Sequence, residues 1–366
     1  MTNWSPQQDN ALKSVSDWMR TPRSPQVFRL FGFAGTGKTL LARHLAESVN
    51  GDVCFAAFTG KAALVMRARG CEGARTIHSL IYRSRNPKED EEAPTFVLNR
   101  QSDAVSAKLI IVDECSMVDE ELGRDLLSFG TRVLVLGDPA QLPPVKGGGF
   151  FTEAEPDVML TEIHRQAADN PIIRMSMTIR EGGMLERGTY GESRVVGRND
   201  IDAGQVMAAE QVLVGLNKTR RLYNTRIRAL KGYLAASPAA GEKLVCLRND
   251  RTKGLLNGST WIISEMRVSK KGMITMRVAP EDGEGPAVKV SVMPEFFEGR
   301  EEEIPYAQRR RSDEFDFGYA MTVHKAQGSQ WGNVMLFDES FAFREHRARW
   351  LYTALTRAAE RVTVVI

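Results

Sequence analysis

The feature that most restricts the fold of this chain is the sequence GFAGTGKT at residues 32–39. It follows an apolar β-type run at residues 27–31 and precedes a segment in which Leu41, Leu45 and Val49 recur on one helical stripe. The region therefore predicts a strand, a glycine-rich turn and a helix. In such a turn, backbone N–H groups converge on phosphate oxygens, and a lysine and a hydroxyl follow in the first helical turn. The pattern predicts a nucleoside triphosphate site in an α/β fold.

Continuous apolar runs indicate where the sheets lie. In the first 150 residues they alternate with helical patterns, and they recur between residue 159 and the end of the chain. The runs are residues 27–31, 53–58, 108–112, 132–136, 211–215, 334–337 and 362–366. Strands that are apolar throughout are buried on both faces, as in parallel sheets. We therefore expect an α/β fold with two parallel-sheet domains.

Two segments interrupt this alternation. Residues 82–107 are charged and contain proline, which predicts a short insertion. Residues 238–311 contain short β-type runs separated by the turn signals Asn257-Gly258, Lys271-Gly272 and Asp282-Gly283, which predict a small barrel. The predicted domains are residues 1–157, residues 158–237 with 312–366, and the inserted barrel.

Composition excludes several classes of protein. The 366 residues, 42% hydrophobic and 26% charged, are typical of a globular chain with two or more cores. The apolar runs are far shorter than the roughly 20 residues of a membrane span. The first residues lack the pattern of a secretory signal, so we expect a cytoplasmic protein with no membrane partner. The four scattered cysteines predict reduced, mostly buried thiols rather than a zinc site or disulfides.

The net charge of +3 is too small to indicate a nucleic-acid partner, but basic residues are clustered. A solvated face and a nucleic-acid surface are both compatible with these clusters. The clusters are Lys218 to Lys231 with Arg220, Arg221, Arg226 and Arg228, then Arg309 to Arg311, then Arg344, Arg347 and Arg349.

Polar residues at the predicted strand ends suit phosphoryl transfer. Asp113 and Glu114 follow the run at 108–112, where Asp113 would hold Mg²⁺ with Thr39 and Glu114 would take a proton from the attacking water. Gln141, in GDPAQLPPV after the next strand, can donate to a phosphate oxygen and accept from water. The alternative for this loop is a polar turn stiffened by two prolines.

The order GFAGTGKT, FTGKAA, TIHSLI, DECSM, GDPAQLPPV, IHRQ, TVHKAQGS and YTALTRA resembles the superfamily 1B DNA helicases of the RecD and Dda type. The resemblance spans the chain from Gln8 to its end. It implies two RecA-like P-loop NTPase domains, a pin at about residues 82–107 and an SH3-like β-barrel at 238–311.

The resemblance also implies the residues of the ATP and Mg²⁺ site. Gln8 would read adenine, and Arg165 and Arg357 would be arginine fingers from the second domain. The expected nucleotide contacts are Gln8, Gly35, Thr36, Gly37, Lys38, Thr39 and Gly328. The expected catalytic residues are Lys38, Asp113, Glu114, Gln141, Arg165 and Arg357, with Thr39 and Asp113 at the metal.

Six positions match those that the family uses along single-stranded DNA: Thr59, Lys61, His78, Ser79, Thr322 and His324. A lone histidine is more often a packing residue, but the strings TIH and TVH fit one contact in each domain. Phosphate contacts of this kind position a strand without reading its sequence. Two positions depart from the family pattern. Phe58 replaces a proline, so the way that loop presses on the bases does not carry over, although an aromatic ring there could stack. Gln330 replaces a glutamate, so the sugar preference does not carry over.

These expectations describe a motor that hydrolyses ATP in an interdomain cleft, translocates on single-stranded DNA and separates duplexes at junctions. The 5′ to 3′ direction comes from the resemblance alone. We expect it to act as a monomer in a bacterial or phage-infected cell, with replication or recombination proteins as partners. The alternatives are a small-molecule phosphotransferase and a DNA-binding scaffold that uses ATP as a switch. ATP turnover with and without single-stranded DNA distinguishes the three.

Overall fold

A computed structural model describes residues 4–85, 95–144, 147–162, 169–250, 252–268, 272–283 and 285–366. The described residues form two compact units. The first contains the residues up to 184 together with Ala348–Thr356, and the second contains Leu185–Arg347 and Arg357–Ile366. Each unit has its own sheet.

The strands are β1 (Val27–Gly32), β2 (Val53–Ala57), β3 (Arg75–Thr76), β4 (Tyr82–Arg85), β5 (Thr95–Leu98), β6 (Leu109–Asp113), β7 (Arg132–Gly137), β8 (Val158–Leu160), β9 (Gly188–Tyr190), β10 (Ser193–Val196), β11 (Gln211–Val214), β12 (Lys243–Cys246), β13 (Thr260–Val268), β14 (Ile274–Pro280), β15 (Val288–Val292), β16 (Phe315–Phe317), β17 (Ala320–Thr322), β18 (Trp331–Phe337) and β19 (Ala358–Val365).

The α-helices are α1 (Pro6–Arg20), α2 (Lys38–Glu47), α3 (Gly60–Ala68), α4 (Ile77–Ile81), α5 (Asp103–Ser106), α6 (Glu120–Leu127), α7 (Pro171–Arg180), α8 (Ala203–Met207), α9 (Asn217–Leu230), α10 (Glu295–Glu298), α11 (Tyr306–Arg309), α12 (Val323–Ala326) and α13 (Arg347–Leu355).

The first unit is built on a parallel sheet of order β3-β2-β6-β7-β1-β8. Apolar side chains of its strands face two core clusters. One cluster takes in residues of α1 and α2, such as Val15 and Leu41, and the other takes in residues of α4 and α6, such as Leu80 and Leu126. Helices therefore cover both faces, which explains the uninterrupted apolar runs.

The second unit contains a sheet of order β17-β11-β18-β19-β10-β9. Its pairs are parallel except for the antiparallel hairpin of β9 and β10, which the sequence analysis did not predict. The predicted α/β class with two parallel-sheet domains is confirmed. The predicted start of the second domain at residue 158 is wrong, because β8 pairs with β1 and extends the first sheet. Ala348–Thr356 also belongs to the first unit.

An antiparallel sheet of order β15-β14-β13-β12-β16 is inserted in the second unit. A bridge between Val292 and Asp313 joins the end of β15 to the residues that precede β16. The sheet therefore runs to Phe317, and the predicted end at residue 311 is too early because β16 pairs with β12. Gly258, Gly272 and Gly283, the glycines of the predicted turns, all have positive φ.

Only part of the predicted insertion at residues 82–107 extends away from the core of the first unit. Strands β4 and β5 form an antiparallel hairpin, and its connection at residues 86–94 lies outside the described residues. After the hairpin the chain returns to the core through α5, where Ala104 is fully buried and its carbonyl accepts from the Thr131 hydroxyl at 2.5 Å.

Cys54, Cys71, Cys115 and Cys246 are buried free thiols, as predicted. Within the part of the chain that the structure describes, every helix is too short or too polar to cross a bilayer.

Candidate nucleotide site and nucleic-acid path

The turn between β1 and α2 forms the phosphate-binding loop predicted from the sequence. Gly35 and Gly37 have φ of 83° and 80°, a left-handed conformation that glycine adopts without steric cost. Gly37 is also the N-cap of α2. The Lys38 ammonium donates to the carbonyls of Gly32 at 2.6 Å and Phe33 at 3.0 Å, which holds its charge over the loop. A helix N-terminus and a cation thus face one place, as binding of a phosphate chain requires.

Thr39 and Asp113 meet beside this loop. The Thr39 hydroxyl donates to Asp113 Oδ2 at 2.9 Å, and Asp113 Oδ1 accepts from the Glu114 N–H at 2.8 Å. Glu114 has φ of 53°, one of two non-glycine residues with positive φ in the described ranges. Such a conformation costs about 1–2 kcal/mol for an ordinary residue and is kept where surrounding structure or function demands it. The hydroxyl–carboxylate pair suits Mg²⁺, a hard cation that favours oxygen ligands and phosphate oxygens.

Gln141 follows β7 in a buried loop. Its side chain is 7% exposed, and Oε1 has no hydrogen-bond partner among the described residues. An unpaired buried acceptor is costly, so such an atom commonly awaits a donor from a ligand or water. The orphaned oxygen and the loop of N–H groups are what a triphosphate and its attacking water would fit.

Gln8 lies against the phosphate-binding loop. It is 2% exposed, and its amide donates to the Thr36 carbonyl at 3.1 Å. Its Oε1 accepts from Ser5 N in the capping box of α1. Gln8 therefore lies beside the phosphate-binding loop, in the same unit as Asp113, Glu114 and Gln141, which lie at the carboxyl ends of β6 and β7.

Three predicted residues of the nucleotide site, Arg165, Arg357 and Gly328, are not part of this group. Arg165 lies outside the described residues. Arg357 belongs to the second unit, is 5% exposed and donates to the Ser329 carbonyl at 3.2 Å. Gly328, which is also an expected nucleotide contact, directly precedes Ser329 in the same unit and has φ of 77°.

The predicted DNA contacts lie at starts of short helices. Thr59 and Thr322 are N-caps of α3 and α12, and their hydroxyls accept from Ala62 N at 3.1 Å and Lys325 N at 3.4 Å. A hydroxyl that accepts in this way keeps its proton for donation to another acceptor. Lys61 is the second residue of α3 and is half-buried.

TIH and TVH have the same local structure in the two units. Each follows an edge strand, with threonine as the N-cap and histidine in the first helical turn. His78 lies near the rings of Phe58 and Tyr82, at 6.3 and 5.6 Å between centroids, and His324 lies 5.3 Å from Phe343. Partial desolvation lowers the pKa of both histidines, although His78 remains exposed at the surface and the Asp119 charge opposes the shift there. The neutral form of each ring is therefore favoured at pH 7.

The Ser79 hydroxyl is already engaged within its own helical turn. It donates to the Thr76 carbonyl at 2.9 Å, and the Ser79 N–H donates to the Thr76 hydroxyl at 3.2 Å. Thr76, which the sequence analysis did not select, caps α4 as Thr322 caps α12.

Comparison with known proteins decides the family. The model for an AAA domain matches residues 4–196, more than half of the chain, and the model for a UvrD-like helicase C-terminal domain matches residues 317–365. The ATP-dependent RecD2 DNA helicase of Deinococcus radiodurans is 30% identical over 367 residues, covering 91% of this chain and 46% of that protein. The chain belongs to the superfamily 1B helicases of the RecD and Dda type.

Two further known proteins are similar to this superfamily 1B chain. The helicase Dda of Enterobacteria phage T4 is 32% identical over 166 residues, covering 41% of this chain and 37% of Dda. The chain thus spans less than half the length of these two relatives. The crystal structure of the Pif1 helicase from Candida albicans has the same fold, with a TM-score of 0.57, 18% identity and coverage of 100% of this chain and 95% of that one.

Two arginines of the longest basic run, Lys218 to Lys231, form buried ion pairs within the second unit. Arg220 and Arg228 on α9 are buried and pair with Asp316 and Glu242, and the Arg228 guanidinium also stacks on Phe317 at 3.8 Å. Buried arginines in such pairs hold α9 to the neighbouring sheet and are not available to phosphates. Interpreting this run as a nucleic-acid surface is therefore wrong for these two residues.

Sequence reasoning missed an arginine at the phosphate-binding loop. Arg180, at the end of α7, stacks on the Phe33 ring at 3.7 Å, and its Nη1 has no hydrogen-bond partner among the described residues. Nothing in the string SMTIREGG identifies it, because an arginine at a helix end is usually exposed.

Proposed function

We propose that this chain is an ATP-dependent DNA helicase that translocates on single-stranded DNA. The observation that carries the proposal is the convergence of the phosphate-binding loop, Thr39, Asp113, Glu114 and Gln141 at the carboxyl edge of one parallel sheet. That edge is where α/β sheets bind nucleotides. Family membership supplies the class of reaction.

Each residue has a role in hydrolysis. Lys38 would neutralise charge on the β- and γ-phosphates, and Thr39 with Asp113 would hold Mg²⁺, which would supply positive charge to the transferring phosphoryl group. Glu114 takes the proton of the attacking water. Gln141 accepts a hydrogen bond from that water through its buried oxygen and donates to the γ-phosphate.

The remaining roles come from the family resemblance. Gln8 reads the adenine, Gly328 contributes to the nucleotide site, and Arg165 and Arg357 supply charge to the transferring phosphoryl group. The hairpin of β4 and β5 acts as the pin, and the sheet of β12 to β16 acts as the SH3-like barrel. We also propose movement in the 5′ to 3′ direction.

DNA contacts are proposed for the six selected positions: Thr59, Lys61, His78, Ser79, Thr322 and His324. Hydroxyls, a lysine and neutral histidines contact phosphates without reading bases, which suits a motor that must move over any sequence. The N-cap geometry of Thr59 and Thr322 supports this, since a hydroxyl that accepts from the helix backbone keeps its proton for donation. A small-molecule phosphotransferase would leave the second unit without a role.

The test is steady-state ATP turnover with and without single-stranded DNA. We expect large stimulation, abolished by Lys38→Ala and retained by Lys13→Ala, which removes an exposed lysine of α1 in the same unit. Absence of stimulation indicates a phosphotransferase, and slow turnover in both conditions indicates a switch. Unwinding of duplexes with a single tail gives the direction, and activity confined to 3′-tailed substrates contradicts the 5′ to 3′ proposal.

A further inference from the structure

Tyr352 on α13 joins two loops of the nucleotide site. Its hydroxyl accepts from the Ala34 N–H of the phosphate-binding loop at 3.0 Å and donates to Asp138 Oδ2 at 2.6 Å. Tyr352 is 2% exposed and Asp138 1% exposed. One phenol oxygen therefore connects the loop after β1 to the loop after β7. A phenylalanine would fill the same space and make neither bond.

The contacts of α13 flank Gln141. Asp138 Oδ1 accepts from Ala140 N at 3.0 Å, and its carbonyl accepts from Gln141 N at 3.1 Å. On the other side, the Thr353 hydroxyl accepts from Leu142 N at 2.9 Å. The loop at residues 138–142 is therefore fixed on both sides by neighbouring residues of one helix.

The protonation of Tyr352 suits this role. Burial raises its pKa above the ordinary value of tyrosine, and the Asp138 charge raises it further. The phenol stays protonated, so it donates to the carboxylate permanently. A charge-assisted bond of this kind is stronger than one between neutral groups, and its burial shields it from water.

Helix α13 has an unusual place in the chain. Ala348–Thr356 belongs to the first unit, but the segments before and after it belong to the second. Arg344, just before the helix, has φ of 43°, and Arg357 follows the segment directly. The segment whose Tyr352 and Thr353 side chains contact the loop of Gln141 is thus followed directly by the proposed arginine finger.

We propose that Tyr352 is a positioning residue for ATP hydrolysis, which sets the loop of Gln141 against the phosphate-binding loop and makes that arrangement depend on α13. This inference rests on the proposed function. Tyr352 does not contact the reacting atoms. It acts through Asp138 and Ala34, so its loss should impair turnover more than nucleotide binding.

A matched control exists in the second unit. The Tyr319 hydroxyl accepts from Lys243 N at 3.2 Å and lies 3.5 Å from Glu242 Oε1, so it too joins a backbone N–H to a buried carboxylate. Tyr319 is 8% exposed and distant in sequence from every proposed site residue except Thr322 and His324. Tyr319→Phe therefore measures the stability cost of removing a buried hydroxyl of this kind.

The first measurement compares the DNA-stimulated turnover of Tyr352→Phe and Tyr319→Phe. We expect Tyr352→Phe to lower kcat by about tenfold with KM for ATP within about twofold of wild type, the pattern of a lost transition-state interaction. Tyr319→Phe should keep kcat within about twofold. Equal kcat in the two variants would overturn the inference.

The second measurement does not need turnover. Hydrogen exchange of the protein without nucleotide should accelerate by about tenfold or more in peptides covering residues 32–39 and 138–144 of Tyr352→Phe, and not in those of Tyr319→Phe. Unchanged exchange in both peptides would show that Tyr352 does not position the loops. Wild-type protein without ATP turnover would contradict the proposed function, while the exchange result would still decide the role of Tyr352.

Discussion

Each of the two units contains a strand that leads through a turn into a helix. The two units differ in which group lies at the N-terminus of that helix. In the first unit, β1 leads through Gly35 and Gly37 to α2, and Lys38 lies over the loop. In the second, β11 leads through Gly215 to α9. There the Glu339 carboxylate accepts from Gly215 N at 2.6 Å, Leu216 N at 3.0 Å and the Thr219 hydroxyl at 2.6 Å.

Glu339 places its carboxylate at the N-terminus of α9, where an anion is favoured. Helix α9 has no side-chain cap of its own at Leu216, so the carboxylate supplies both the cap and the negative charge that a helix N-terminus favours. A side chain at Gly215 would meet Glu339 and Phe343 within 3 Å, which shows how closely the turn is packed. The turn in the second unit thus receives a carboxylate of its own chain, whereas the corresponding turn in the first unit is the loop proposed to bind phosphates.

The largest predicted effect tests whether hydrolysis belongs to the first sheet alone. Glu114→Gln should lower DNA-stimulated ATP turnover by about 10²–10⁴-fold, the range for loss of a general base, because the amide cannot take the proton. Nucleotide binding should persist, at one equivalent per chain by equilibrium dialysis.

Glu120→Gln is the control for this variant, since it alters an exposed carboxylate in the same unit. Turnover of Glu114→Gln close to that of the control would assign the base to another residue. Two bound nucleotides per wild-type chain would contradict the contrast between the sheets.

Glu339→Ala tests the same comparison in the second unit, by removing the carboxylate at the N-terminus of α9. It leaves two N–H groups and a hydroxyl without their carboxylate, and we expect a loss of about 3 kcal/mol in the free energy of unfolding. Because the vacated helix N-terminus favours anions, added sulfate should recover part of the loss. Denaturant titrations with and without sulfate measure both effects.

Glu339→Gln keeps the acceptor oxygen and loses only the charge, so its stability should lie between those of wild type and Glu339→Ala. The sulfate response should be confined to Glu339→Ala. An equal response of the wild-type protein would mean that the anion acts elsewhere.

Local sequence was enough to select the candidate nucleotide-site residues that the first unit brings together. Gly37, Lys38 and Thr39 are neighbours in the chain, and Asp113 and Glu114 directly follow a strand, so one motif and one apolar run locate each group. Parallel strands then bring their carboxyl ends together. Continuous apolar runs predicted the two sheets for the same reason, because burial on both faces is visible in composition.

Contacts between distant residues could not be predicted in this way. Glu339 lies 124 residues from Gly215, and Tyr352 lies 214 residues from Asp138. The carboxylate that neutralises Arg220 is 96 residues away, so a basic run counted along the sequence overestimates the exposed charge. The boundary predicted at residue 158 falls inside the first unit because the pairing of β8 with β1 is not encoded in the local pattern.

A smaller effect compares the two threonine caps proposed to contact DNA. Thr59→Val and Thr322→Val should each lose about 0.5–2 kcal/mol of stability through the cap. Each should also weaken single-stranded DNA binding by about fivefold, the value of one hydrogen bond. Fluorescence anisotropy at fixed salt measures the affinity.

Thr76→Val is the matched control. Thr76 caps α4 through Ser79 N but is buried, so its hydroxyl is remote from an external phosphate. We expect a loss of stability without a loss of affinity. Weaker DNA binding by Thr76→Val as well would attribute the effect of all three variants to the helices rather than to hydroxyl contacts.

The smallest effect concerns the protonation of the two TxH histidines. Burial lowers the pKa of His78 and of His324, and the charge of His346 lowers that of His324 further. A histidine whose pKa is lower in the folded state binds fewer protons there, so its contribution to stability is present above about pH 6.5 and is lost as pH falls below it. Phosphates beside the rings favour the charged form and oppose this trend.

DNA binding should therefore take up protons, and affinity should rise as pH falls from 7.5 to 5.5. His78→Gln and His324→Gln should each remove part of that pH dependence, whereas His44→Gln, on α2, should leave it intact. If only His78→Gln reduces the slope, the two TxH loops are alike in fold but not in function. The contrast between the sheets would then extend from the nucleotide to the DNA, because only the unit with the phosphate-binding loop would sense both.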